Sequence, residues 1–222
     1  MNTVKTIFLK ELMVEFRNKQ MINIYLILSL MIIASFRFAF SIIDFSLNQL
    51  ASPIIWISFF FAGMFSLSLT YKREIEQGTV EGLLLAPIYP SSIYFGKLLA
   101  NLLVISCLEL FTLLIFFVFF PVDIPDLLTL FTLVFFGTIG IVALGNIISA
   151  ISSNLAQSEV MLPVLLVPLL LFTVVMSVVS ATSKVFAGAH LLDVINEIRF
   201  ILAFDVVFIA AGYLLINYIL ED

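Results

Sequence analysis

Charged residues are scarce in this sequence. Only 11% of its 222 residues are Asp, Glu, Lys or Arg, whereas 63% are hydrophobic. A soluble domain carries about 25% charged and roughly 45–50% apolar residues. The composition therefore excludes an ordinary soluble domain and is typical of a membrane protein. The formal charge of −5 is less informative than the positions of the basic residues, because those positions orient membrane spans.

The residues that build catalytic and metal centres are also scarce. The chain has a single cysteine, Cys107, and a single histidine, His190. One cysteine excludes an intrachain disulfide, and we expect no metal site. The sequence lacks the Gly-x-x-x-x-Gly-Lys-Ser/Thr phosphate loop. We therefore predict that the chain has no catalytic residues and does not hydrolyse ATP alone.

Apolar residues, in contrast, are abundant and lie in blocks of about 20, the length that crosses a hydrocarbon core of roughly 30 Å. Backbone groups in lipid must be hydrogen-bonded internally, so the blocks are predicted to be helices. A β-barrel would alternate in polarity, and runs such as Leu110–Phe120 do not. We predict an all-α polytopic membrane protein with one domain over 1–222. Its six predicted spans are 21–43, 52–71, 93–120, 127–151, 160–180 and 199–220.

Residues 3–18 are predicted to form an amphipathic helix that lies on the membrane surface. Its apolar face consists of Phe8, Leu9, Leu12, Met13 and Phe16 at helical spacing, and charged residues occupy the rest. This pattern suits an interfacial helix whose apolar side enters the headgroup region. A soluble amphipathic helix packed on another subunit is the alternative.

The basic residues orient the spans. An N-terminus in the cytoplasm keeps seven of the ten basic residues inside, and the reverse topology would translocate them. These seven are Lys5, Lys10, Arg17, Lys19, Lys72, Arg73 and Lys97. We predict that the chain lies in the cytoplasmic (inner) membrane with both termini and residues 72–92 in the cytoplasm.

The charged connection at 72–92 is the predicted docking surface for a cytosolic partner. Gly78 can end a first short helix in a left-handed conformation, and Thr79 can cap a second one. Ser91 or Ser92 can then cap the third span. An ordinary solvated loop explains the same residues equally well.

A longer pattern covers this connection and the start of the third span. An aromatic residue precedes an Arg-Glu pair, then Gly-x-Val-Glu-x-Leu-Leu-Leu-x-Pro follows, and a Gly-Lys pair comes later. The residues are Tyr71, Arg73, Glu74, Gly78, Val80, Glu81, Leu83, Leu84, Leu85, Pro87, Gly96 and Lys97. The pattern resembles the signature of type-2 ABC exporter membrane subunits, most closely the haem exporter protein B family (CcmB) of cytochrome c maturation. A weaker match extends over 140–169, and the sequence departs from commoner members at Thr79–Val80 and in having Tyr71 where Phe is frequent.

The resemblance implies a type-2 ABC exporter topology and a permease subunit of an ABC-type complex in c-type cytochrome biogenesis. A separate ABC ATPase subunit would dock at 72–92, through Arg73, Glu74, Gly78, Glu81 and Pro87. Other implied partners are further cytochrome c maturation membrane subunits, a periplasmic haem chaperone and the lipid bilayer, and no nucleic acid. Haem would be the cargo, and ATP would bind the partner subunit. The energy would drive haem export or the release of the haem-loaded chaperone.

Two other functions remain open on the sequence. The chain could be a type-2 ABC permease for a drug, lipid or ion, or a non-transporting membrane scaffold that recruits an ATPase. Cytochrome phenotypes would separate the first from the haem pathway, and substrate flux in vesicles would separate the scaffold from both.

Three polar residues inside the predicted spans are candidate functional groups: Asn101, Glu109 and Asp205. A carboxyl group at mid-span costs roughly 2.5–3.5 kcal/mol on insertion scales, so Glu109 is predicted to face protein or a polar cavity. Such groups act as conformational switches, contact substrate or satisfy interhelical hydrogen bonds. His190 opens a predicted outer amphipathic segment and is a weak candidate for haem contact, since haem iron often takes a histidine ligand.

Overall fold

The computed structural model describes residues 3–40, 47–71, 89–123, 125–152 and 176–221. The regular elements in these ranges are all helical. They are α1 Thr3–Asn18, α2 Gln20–Ala39, α3 Leu47–Leu67, α4 Pro90–Phe119, α5 Leu127–Ser152, α6 Met176–Phe186, a 3₁₀ helix Leu191–Val194 and α7 Ile195–Glu221. The predicted all-α class is confirmed. The segment 72–88, which contains Arg73, Glu74, Gly78, Glu81 and Pro87, lies outside the described residues.

Five helices in the described ranges are long and apolar enough to cross a membrane. They are Gln20–Ala39, Asn48–Tyr71, Pro90–Phe119, Leu127–Ile151 and Leu191–Ile216. These helices correspond to five of the six predicted spans. Most of the other predicted span, 160–180, lies outside the described residues, and α6 overlaps only its end.

The connection predicted before the last span is shorter than expected. Helix α6 continues to Phe186, and the 3₁₀ helix leads directly into α7, so the last span begins well before residue 199. A turn at His190 starts it: the Asp193 backbone N–H donates to the His190 carbonyl over 2.9 Å. The His190 backbone N–H in turn donates to Asp193 Oδ2 over 2.9 Å. The predicted outer amphipathic segment is therefore the beginning of the last helix.

The start of α4 also differs from the prediction that a serine caps it. Tyr89 precedes the helix without a side-chain capping bond, and Pro90 occupies the first turn. Proline is well suited to this position because its fixed φ is helical and its missing N–H would have no partner there. Ser91 and Ser92 lie inside the helix rather than at its cap.

Small residues bring the helices into close contact. A Cβ at Gly145 of α5 would overlap Leu67 of α3, and a Cβ at Gly137 would overlap Trp56. Trp56 is buried, and its indole N–H donates to Thr182 Oγ1 of α6 over 2.9 Å. The small residues of α5 thus serve helix packing, as small residues commonly do between membrane helices.

Contacts between helix ends place both termini at one end of the bundle. Ile7 of α1 packs on Gly96 near the start of α4, and Tyr94 packs on Gly212 late in α7. At the opposite end, Asn48 Nδ2 donates to Asp123 Oδ2 over 2.7 Å. The predicted placement of both termini on the same side of the membrane stays a prediction, as does the identity of that side.

The buried face of helix α1 is not made of apolar residues alone. The side packed on α4 contains buried Ile7, Glu11 and Glu15, while Met13 and Phe16 are more than 60% exposed. An exposed apolar face is what an interfacial helix presents to lipid. The position of α1 at the membrane surface stays a prediction, but its two glutamates are not on a solvated face.

A candidate coupling site around a buried lysine

The approach of α1 to α4 depends on a glycine. Gly96 lies beneath Ile7, and a Cβ at this position would overlap the Ile7 side chain. The absence of a side chain lets the two helices come close enough for polar groups on α1 to reach the interior of α4. Glu11 lies one turn further along the same face of α1 as Ile7, because residues four apart share a helix face.

Lys97 is the central residue of the site. Its side chain is fully buried, and its ammonium group lies 3.0 Å from Glu11 Oε1. The same group donates to the backbone carbonyl of Thr70 over 3.2 Å and lies 4.8 Å from the centre of the Tyr71 ring. Lys10 also contacts Glu11 Oε1 at 3.0 Å. A buried charge needs such partners, because desolvation without them costs several kcal/mol.

Asn101 extends the cluster from α4 to α5. Its amide donates to Thr70 Oγ1 over 3.1 Å and to Asn146 Oδ1 over 2.8 Å. An amide NH₂ has two hydrogens, so both bonds can form at once. Asn101 lies one turn after Lys97, and the two side chains hold the same residue, Thr70, through its carbonyl and its hydroxyl. We call Glu11, Thr70, Lys97, Asn101 and Asn146 the coupling cluster.

The coupling cluster joins four helical segments at one place. The four segments are α1, the last turn of the span Asn48–Tyr71, α4 and α5. Thr70 and Tyr71 are the last residues before the 72–88 segment. Residue 72 is thus two positions after Thr70, whose carbonyl and hydroxyl are hydrogen-bonded to Lys97 and Asn101 of α4.

Comparison with known proteins decides the family. A scan against protein-family models matches residues 2–217 to the family described as CcmB protein. This chain belongs to the CcmB family. The match covers nearly the whole sequence, and the resemblance seen in the motif is thereby confirmed. No curated protein sequence matches the chain significantly.

Membership of the CcmB family makes the chain a membrane component of a haem export ABC system. The five long apolar helices agree with a multi-pass membrane protein. The family also fits a role in transport, haem and c-type cytochrome biogenesis. The family is a membrane permease subunit of a transport complex, which is consistent with the predicted non-catalytic role.

The structure separates the three predicted intramembrane polar residues. Asn101 belongs to the coupling cluster. Glu109 lies deeper in α4, fully buried, and the hydroxyl of Thr138 on α5 donates to its Oε2. Asp205 is buried on α7, and neither of its carboxyl oxygens has a hydrogen-bond partner among the described residues. The three residues therefore do not form one site.

His190 lies at the other end of the bundle from the coupling cluster. Its side chain is largely exposed, and Nδ1 lies 3.2 Å from Asp126 Oδ2. The hydrogen bond from His190, followed by that from Thr129, lowers the pKa of Asp126 below its usual range. His190 and Asp126 line a polar cleft of about 740 Å³ together with Asn48 and Asp123. Haem contact by His190 stays a prediction.

Sequence reasoning missed most of the coupling cluster. Lys97 entered only as a motif residue and a cytoplasmic charge, although it lies on the apolar helix α4. A lysine so close to an apolar run was the available signal that a carboxylate must lie nearby. Glu11 was placed on the polar side of α1, and nothing local identified Thr70 or Asn146 as partners.

Proposed function

We propose that this chain is the permease subunit of an ABC-type complex in c-type cytochrome biogenesis. ATP hydrolysis by a separate subunit would drive haem export or the release of the haem-loaded chaperone on the periplasmic side. The chain would lie in the inner membrane with both termini in the cytoplasm. The observation that carries the proposal, beside the family, is the coupling cluster directly before residue 72.

In this mechanism the ATPase subunit docks on residues 72–92 and moves them during its cycle. Thr70 is covalently continuous with that segment and hydrogen-bonded to Lys97 and Asn101. Lys97 passes the movement to α1 through Glu11, and Asn101 passes it to α5 through Asn146. The bonds are buried, and such bonds in a low-dielectric interior are strong enough to hold the four segments together.

A genetic test addresses the pathway. Deleting the gene should abolish covalent c-type cytochromes and leave b-type haemoproteins intact. Haem-loaded chaperone should accumulate on the other membrane subunits if ATP drives its release, whereas haem-free chaperone would indicate export. A deletion strain with normal c-type cytochromes would refute the proposal and favour a permease for another substrate.

A second test addresses docking. Reversing Glu74 and Glu81 to lysine should release the ATPase subunit on co-purification while the membrane chain still accumulates. Undiminished co-purification would contradict docking at 72–92.

A third test separates coupling from docking. Asn101→Ala should leave the ATPase bound, because Asn101 is buried in the bundle, but should lower c-type cytochrome levels. Asn23→Ala is the matched control, since Asn23 is exposed on α2. Equal cytochrome levels in both variants would argue against transmission through the coupling cluster.

A further inference from the structure

A long apolar groove runs along the outside of α4. It has a volume of about 630 Å³ and begins under α1, where Val4, Lys5 and Phe8 form one wall. Its floor is made by α4 between Leu99 and Leu110, with Phe135 of α5 at the far end. A second cavity of about 310 Å³ shares Ser106, Leu110 and Phe135 and continues the groove toward Phe131.

We propose that this groove binds one acyl chain of an anionic glycerophospholipid, with the phosphate held by Lys5. The proposal is independent of the function proposed above. A lipid fits this groove because the groove is apolar along its length and has a cation, Lys5, at its α1 end.

The dimensions of the groove fit a hydrocarbon chain. Leu99 and Leu110 are eleven residues apart, so at about 1.5 Å per residue the floor is about 16 Å long. With a volume of about 630 Å³, the groove is long and wide enough for an unbranched chain.

The charge at the mouth selects the headgroup. Lys5 is exposed, and no acidic side chain in the described part of the chain pairs with it. Its neighbour on α1, Lys10, is instead held by Glu11. A lysine near the membrane surface attracts anionic lipid by about 1 kcal/mol, which corresponds to about fivefold in affinity. A headgroup with a net negative charge complements this ammonium when the acyl chain lies in the groove, whereas the quaternary ammonium of phosphatidylcholine offsets its phosphate.

The test uses the full-length chain in vesicles of phosphatidylcholine and phosphatidylglycerol at 3:1, with a photoreactive group in the acyl chain of one lipid at a time. Photoreactive phosphatidylglycerol should crosslink mainly within 99–110, and Lys5→Gln should lower that yield about fivefold. Lys19→Gln is the matched charge control, because Lys19 is exposed but does not line the groove. Photoreactive phosphatidylcholine should crosslink less, with no response to Lys5→Gln.

A second pair of variants tests occupancy itself. Leu103→Trp places a bulky ring in the groove and should abolish crosslinking there, whereas Leu114→Trp, on an exposed part of α4 outside the groove, should not. Uniform crosslinking over all exposed helices, or equal yields for Lys5→Gln and wild type, would overturn the proposal.

Cys107 distinguishes lipid from protein as the occupant in native membranes. It lines the groove, is exposed and is the single cysteine of the chain, so a benzophenone maleimide attaches at one place. Irradiation should add the mass of a phospholipid. An adduct with the mass of a protein subunit would show instead that a partner helix covers the groove, and would refute lipid binding.

Discussion

Replacing Lys97 by methionine removes the charge of the coupling cluster and keeps an unbranched side chain of similar length. Losing one partner of a buried ion pair costs about 3–5 kcal/mol, because the other charge stays buried. Glu11 keeps a contact with Lys10 at 3.0 Å, and its side chain is 10% exposed. We therefore expect the lower end of that range, about 3 kcal/mol.

The assay is the apparent melting temperature of the purified chain, followed by loss of the monodisperse peak in size-exclusion chromatography. For proteins of about 150–250 residues, 1 kcal/mol corresponds to about 2–4 °C, so Lys97→Met should melt about 6–12 °C lower. The double variant with Glu11→Met should lose less than the sum of the two single losses, because no buried charge is left unpaired.

Lys184→Met is the matched control for this prediction. Lys184 pairs with Glu197, but half of its side chain is exposed. Exposed pairs contribute about 0–1 kcal/mol, so its shift should not exceed about 2–4 °C. Equal shifts for Lys97→Met and Lys184→Met, or simple additivity of Lys97→Met with Glu11→Met, would refute the assignment of Lys97 as a buried, charge-paired centre.

Three further predictions concern packing, charge and topology. Thr182→Val removes the acceptor of the Trp56 indole and should destabilise the chain by about 1–3 kcal/mol, with a shift in the emission of this single tryptophan; Thr182→Ser should restore both. Asp126→Asn should lower the melting temperature at pH 7, and by less as the pH falls below about 3.9: hydrogen bonds lower the pKa of Asp126, so its contribution is fully present above its ordinary pKa and is lost as pH falls through the lowered value. A difference in melting temperature that does not shrink as the pH falls below about 3.9 would contradict this linkage. Single cysteines at Gln77 and Ser183 in a Cys107→Ser background should label from opposite sides of the membrane, and labelling of both from outside would overturn the topology.

The helices could be predicted from the sequence because their cause is local. Each apolar block of membrane-spanning length must satisfy its own backbone, and only a helix does so within one segment. Helix α5, Leu127–Ser152, matches the predicted span 127–151 at both ends within one residue. Helix ends were less predictable, since Pro90 rather than a serine begins α4 and His190 begins the last span early.

The candidate site was predictable only in part. Asn101 stood out because an amide inside an apolar block needs a partner. The identity of that partner was not in the local sequence, since Thr70 and Asn146 lie 31 and 45 residues away. The partner of Glu109 was not in the local sequence either, because Thr138 lies on the next helix, α5.

The sequence by itself therefore determined the class of protein, its helices and its family, because composition, block length and motif are properties of contiguous residues. The tertiary structure decided which charged side chains are buried and which partners they contact. Glu11 belongs by pattern to the polar side of a surface helix, yet it is buried against α4. The physical reason lies 86 residues away: Lys97 is fully buried, and its charge requires a carboxylate that only the packing of α1 on Gly96 can bring within 3.0 Å.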